Sequence, residues 1–316
     1  MLPLSRRGAL HTASLEWQGA ASDALPDASG ARTLVGESSS AFAWHVDAPA
    51  ALASLLSIEA IDERVDEALV RFCDLLRQAP DGAAAVPGLT WTVGELGAHL
   101  VTGAQLWSRM LRGEPSPIAS LSEASAHTAR MIAELDERDP GRLAELLEQE
   151  TRTTAAMLAA HSSDRPFPWH AGLELTMGQA EAIGLGELLV HGFDLARALQ
   201  RPWSISDDDA RTVIYGAARI LPSLIDRERA RGFEASFELR LRGGSPLSLR
   251  FEDQTLTVGA GRVADADCRI SAKPRAFLLL SYGRARSLPF LLRGQLLAWG
   301  RRPWLAARLP SLLQSL

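Results

Sequence analysis

The chain is short of several things, and each shortage excludes a class of protein. Of its 33 basic residues only one, Lys273, is lysine and 32 are arginine. With abundant alanine, that is the mark of codon usage in a GC-rich genome more than of a functional choice. Two cysteines, Cys73 and Cys268, cannot build a disulfide framework and suit a reducing cytoplasm. No stretch runs for ~18 residues without charge, as a membrane-spanning helix requires. No apolar run follows the arginines of MLPLSRRGALHTASL, so a secretory signal is not expected. The formal net charge of −5 advertises no nucleic-acid partner. A soluble, cytoplasmic protein is expected, and 316 residues at 47% hydrophobic content suffice for two cored domains.

What the chain does have is one unusual stretch, Ala182 to Leu199, reading AIGLGELLVHGFDLARAL. Nearly every position is apolar or glycine, so as a helix it would be buried on all sides. The exceptions are Glu187, His191, Asp194 and Arg197. Glu187, His191 and Asp194 fall at i, i+4 and i+7, on one narrow stripe. A buried carboxylate and imidazole must each be given a partner. A metal ion suits both at once. A hydrogen bond from Glu187 to His99 or to an arginine would also serve, and E-x-x-x-H alone is common by chance. The residues leave both open.

Taken in order, residues 1–56 are rich in Ser, Ala and Gly, without lasting periodicity, and read as a poorly ordered N-terminal extension. Residues 57–205 read as a helical bundle. Ile61, Val65, Leu69, Phe72 and Leu76 keep helical spacing up to Pro80, with Cys73 beside them as a small buried hydrophobe. Thr92 and Glu95 form a capping box that opens a second helix, on which His99 stands next to the apolar stripe. Residues 119–136 and 140–161 read as two more helices, parted at Asp139-Pro140. His127 and His161 read as surface residues. The segment SSDRPFPWHAGLELT reads as a loop, and its His170 is a spare candidate for the site. Thr176 and Gln179 cap the buried helix. Residues 206–316 change character: a helix capped by Ser206, then period-2 segments in SFELRL, PLSLRFE, TLTV and ADCRIS. These predict a small α+β domain with a four-stranded antiparallel meander. A short helix from Pro274, stopped at Gly283, and an apolar, arginine-studded tail complete it.

TWTVGELGAHL and ELLVHGFDLARAL resemble the signature segments of the mycothiol-dependent maleylpyruvate isomerase family, whose helical domain is DinB-like. The C-terminal part is similar to the sterol-carrier-like domain that often follows in that family. The two resemblances span about residues 57 to 316. They imply a DinB-like four-helix bundle, zinc or another divalent metal held by His99, Glu187 and His191, and an Asp194 that lines the site. They further imply mycothiol as the thiol cofactor and a small electrophile as substrate. No motif marks the residues that hold mycothiol. An arginine of the second domain is a candidate to cap the pocket, but the sequence offers too many to choose among.

Three protein ligands leave a tetrahedral metal with one open position, which could take the sulfur of a small thiol and hold it as thiolate. In the family reaction the thiolate adds to an activated C=C bond, the single bond rotates, and elimination returns the trans isomer. Asp194 would orient His191 or relay a proton. An isomerase or S-transferase is therefore expected. The alternative is a non-catalytic lipid carrier with a metal-stabilised helical domain, using Phe277, Leu278, Leu279, Leu280, Leu291 and Leu292 as its groove. Hydrolysis by a metal-bound water fits the same ligands but lacks a clear base beyond Asp194.

Overall fold

The computed structural model describes residues 61–158 and 161–314, together with Leu52 and Leu56. The expected extension over residues 1–56 therefore lies, apart from those two leucines, outside the described residues.

The first half is helical. Helix α1 (Ile61–Arg77) buries Ala68, Leu69, Phe72, Cys73 and Leu76. Helix α2 (Val93–Leu111) opens with a full capping box: Thr92 Oγ1 accepts from Glu95 N at 3.2 Å, and Glu95 Oε2 accepts from Thr92 N at 2.8 Å. Two helices, α3 (Ala124–Glu134) and α4 (Pro140–Leu158), follow on either side of the Asp139-Pro140 break.

The segment expected to be a loop is a short hairpin. Strand β1 (Pro166–Pro168) pairs antiparallel with β2 (Glu174–Thr176), and Phe167 stands opposite Leu175. Prolines alternate around Phe167, which hides the strand from a pattern reading, since proline is tolerated only on edges such as this one. Burial of Phe167 and Leu175, each 2% exposed, anchors the hairpin.

Helix α5 (Met177–Leu199) is the stretch singled out above, and 17 of its 23 residues are buried. A second capping box starts it, Thr176 Oγ1 accepting from Gln179 N at 3.2 Å. It packs on α1 and α2 and on α6 (Asp207–Ala217), whose N-terminus Ser206 caps through Asp209 N at 2.9 Å. The α5–α6 approach is close because small residues face each other. A Cβ on Gly216 would stand 2.4 Å from Ala182 Cβ, and one on Gly186 2.7 Å from Val213 Cγ1.

The second half is a five-stranded mixed sheet, not a four-stranded antiparallel meander. Strands β3 (Ala235–Leu241), β4 (Leu247–Glu252), β5 (Thr255–Ala260), β6 (Cys268–Ala272) and β7 (Leu296–Trp299) lie in the order β5-β4-β3-β6-β7. The pair β3–β6 is parallel and the others antiparallel. After β5 the chain crosses back to the open edge of β3. Glu238, 1% exposed, holds that crossover by accepting from Val263 N at 3.0 Å and pairing with Arg240 and Arg269. Helix α7 (Pro274–Ser281) packs on α6, and α8 (Ser287–Leu292) precedes β7. The tail thus supplies the fifth strand. Of the residues expected to line a lipid groove, Leu278 and Leu279 are core, whereas Leu291 and Leu292 are exposed.

Phe237, fully buried on β3, meets Phe251 edge-on and Phe233 stacked. Phe237→Ala should lower unfolding stability by about 3–5 kcal/mol, read by urea denaturation of the full chain.

Candidate functional site

Helices α2 and α5 bring together the three residues proposed from the sequence. One ligand atom each from His99, Glu187 and His191 lies within 4.8 Å of the other two. Glu187 Oε2 is 3.1 Å from His99 Nε2 and 3.4 Å from His191 Nε2. Ligands about 2.0–2.2 Å from a tetrahedral ion sit roughly 3.3 Å apart, so the two Glu187 separations suit one ion, and the edge between the two imidazoles is no longer than 4.8 Å. The donor chemistry agrees. A carboxylate oxygen between two ring nitrogens is satisfied either by an N–H from each ring or by a divalent cation that all three ligate. Residues and spacing therefore fit a metal.

The electrostatics follow from burial and contact. Burial works against the Glu187 carboxylate, yet hydrogen bonds from His191 and His99 outweigh it and hold its pKa well below the usual range. Burial depresses His99, and its Nδ1 is buried with no partner. His191 is also penalised by burial, but hydrogen bonds to Asp194 and Glu187 raise it. Trp91 packs over both rings, its centroid 4.9 Å from His99 and 5.9 Å from His191.

Asp194 stands behind His191, with its side chain 1% exposed and Oδ2 3.2 Å from His191 Nδ1. No arginine lines the cavity among the described residues, so the expected pocket-capping arginine is not found there; an arginine of the second half, Arg284, instead pairs with Asp194. Its Nε lies 3.1 Å from each Asp194 oxygen and its Nη2 donates to Oδ2 at 2.8 Å. Local structure aims it there: beyond the end of α7 at Ser281, Gly283 turns the chain at φ +69°, and Arg284 N bonds back to Leu279 O at 2.8 Å. Arg284 Nη1 also donates to Tyr282 O at 2.6 Å.

A cavity of about 300 Å³ opens from His99 and Glu187. Its apolar wall includes Leu100, Trp107, Trp169, Ile183 and Leu188. His170, the spare candidate, also lies on this wall but apart from the trio, bonded through Nδ1 to Ser116 Oγ at 2.6 Å. Burial lowers it to about 4, so it is neutral at physiological pH. His161 is exposed, while His127 is half-buried with Nε2 unpartnered.

Both cysteines are fully buried. Burial pushes the Cys73 thiol up to about 12 and raises that of Cys268 as well. Neither lines the cavity. Neither thiol should react with a disulfide reagent in the native protein at about pH 8, and both should react in denaturant, counted by released chromophore. Arg284→Ala should strip a buried carboxylate of its partner and destabilise the chain by on the order of 3 kcal/mol, measured by denaturant titration.

Residues 63–196 match the family model for the mycothiol maleylpyruvate isomerase N-terminal domain, and residues 217–300 match that of the SCP-2 sterol transfer family. Curated proteins give no significant match. Among solved structures, a mycothiol-dependent maleylpyruvate isomerase aligns at TM-score 0.47 and 13% identity, over 74% of this chain and 92% of its own. A mutant of that enzyme aligns at TM-score 0.48 and 13% identity, with the same coverage. An inverting sec-alkylsulfatase from Pseudomonas sp. aligns at TM-score 0.32 and 12% identity, over 70% of this chain and 32% of its own. By the two family models, the chain joins a domain of the mycothiol maleylpyruvate isomerase N-terminal family to a domain of the SCP-2 sterol transfer family.

Proposed function

We propose that this protein is a metal- and thiol-dependent enzyme of the maleylpyruvate isomerase type, using a low-molecular-weight thiol such as mycothiol on a small electrophile, as isomerase or S-transferase. In this reading the helical half is a DinB-like bundle whose ligands are His99, Glu187 and His191. The observation that carries it is their convergence beside an apolar cavity that His99 and Glu187 line. A zinc or similar ion on two imidazoles and a carboxylate would lower the pKa of a bound thiol and keep it as thiolate near neutral pH.

The chain's own residues then do the rest. Asp194 fixes the ring orientation of His191 through Nδ1, so that Nε2 is the nitrogen turned toward Glu187. Arg284 keeps Asp194 ionised, so the imidazole retains an anionic partner. The apolar wall excludes water from the electrophile and so protects it from hydrolysis. The chain's own thiols are buried outside the cavity, which makes an external thiol the natural nucleophile.

The test is metal content per chain in protein purified without a metal-affinity tag. About one zinc per wild-type chain is expected, falling at least tenfold in His99→Ala and Glu187→Ala. Thiol-dependent turnover should fall with it. A folded wild type that takes up no divalent metal would overturn the reading.

A further inference from the structure

The class of electrophile is written in the cavity wall. Away from the metal trio, the described lining is dominated by aliphatic and indole side chains, among them Leu106, Trp107, Ile118, Met131, Trp169 and Ile183. No arginine or lysine occurs among the described lining residues, although the chain has 33 of them. The acidic groups there besides Glu187 are Asp62 and Asp66, at exposed positions, and Glu181. Arg284, which pairs with Asp194 behind His191, does not line the cavity.

Glu181 is the telling residue. It is only 9% exposed, and no hydrogen bond or ion pair links it to any described residue. It lies six residues before Glu187 on α5, so roughly 9 Å along the helix axis from the metal end. Burial, and then the charge of Asp62, raise its carboxyl to about 7. Its carboxyl is therefore the polar group that the far end of an entering ligand would meet.

Away from the metal end, an anion entering this space would leave water, find no cation among the described lining residues and approach Glu181. A dicarboxylate fits the cavity poorly on both counts. We propose that the cavity selects an elongated, apolar electrophile carrying no carboxylate or other anionic group, with its reacting carbon beside His99 and Glu187 and its far end against Glu181. The proposal rests on the thiol-chemistry reading for what happens at the metal end, and on the wall alone for what is admitted.

Binding tests it without turnover. The full-length protein as purified is titrated at about pH 8, where Glu181 is largely ionised, with octan-2-one, octanoate and fumarate. Heat and the quenching of Trp107 and Trp169, both in the wall, are followed. Octan-2-one should bind at least about tenfold more tightly than octanoate, and fumarate more weakly than either. Glu181→Gln should narrow the preference for ketone over octanoate by about threefold or more. Gly103→Leu fills the cavity from α2, where an added Cβ meets nothing within 4 Å. It should weaken the ketone about tenfold while metal content is unchanged. Octanoate or fumarate binding as tightly as the ketone would overturn the proposal, a result read on wild type and independent of how the variants fold. A wild type that keeps the ketone preference but holds no metal would support this inference and sink the catalytic reading alone.

Discussion

Charged groups taken out of water need opposite charge in return, and helix α5 carries two of them into the interior, His191 and Asp194, with the half-exposed Glu187 beside them. Glu187, His191 and Asp194 cannot satisfy one another within a single helix. The chain answers by recruiting His99 from α2 on one side and Arg284 from beyond α7 on the other. The result is one connected line of contacts, Arg284 to Asp194 to His191 to Glu187 to His99, with each link at 3.4 Å or less. Much else in the architecture serves it. The capping boxes set where α2 and α5 begin, and the small residues between α5 and α6 let the helices close over the line.

The cavity is the complement of that line. It runs along the seam between two separate apolar cores, one holding Leu100, Leu147 and Leu188 and the other Leu106, Ile118, Trp169 and Ile183. Side chains at Gly103 and Gly184 would occupy it, and both positions are glycine. The space is thus made by omission on the two helices that also carry the polar trio. Close packing elsewhere keeps it from collapsing.

What could be read from the sequence, and what could not, divides by distance along the chain. Helical spacing, capping boxes and the Glu187–His191–Asp194 stripe are local patterns, and α1, α2, α4 and α5 appear where those patterns place them. His99 was legible because its helix carries a recognisable segment. Arg284 was not, since it is one of 32 arginines and reaches Asp194 across 90 residues. Trp91 precedes the N-cap of α2, and only three-dimensional packing puts it over the two imidazoles. The β3–β6 pairing depends on a crossover held by buried Glu238, which alternation within a strand cannot reveal. The proline-flanked hairpin at Phe167 is masked for a different reason: two of its positions offer no backbone donor.

The clasp between Arg284 and Asp194 also bears on how such a protein can be inherited in pieces. Its helical and sheet halves match family models that are defined independently, and on that description they are interchangeable modules. A recombination event that replaced the sheet half would remove the only cation bonded to a carboxylate that is 1% exposed, among the described residues. The newcomer would have to bring a basic side chain to the same turn, or the helical half would have to lose Asp194 in the same step. The boundary is open to exchange by topology and constrained by electrostatics at Asp194.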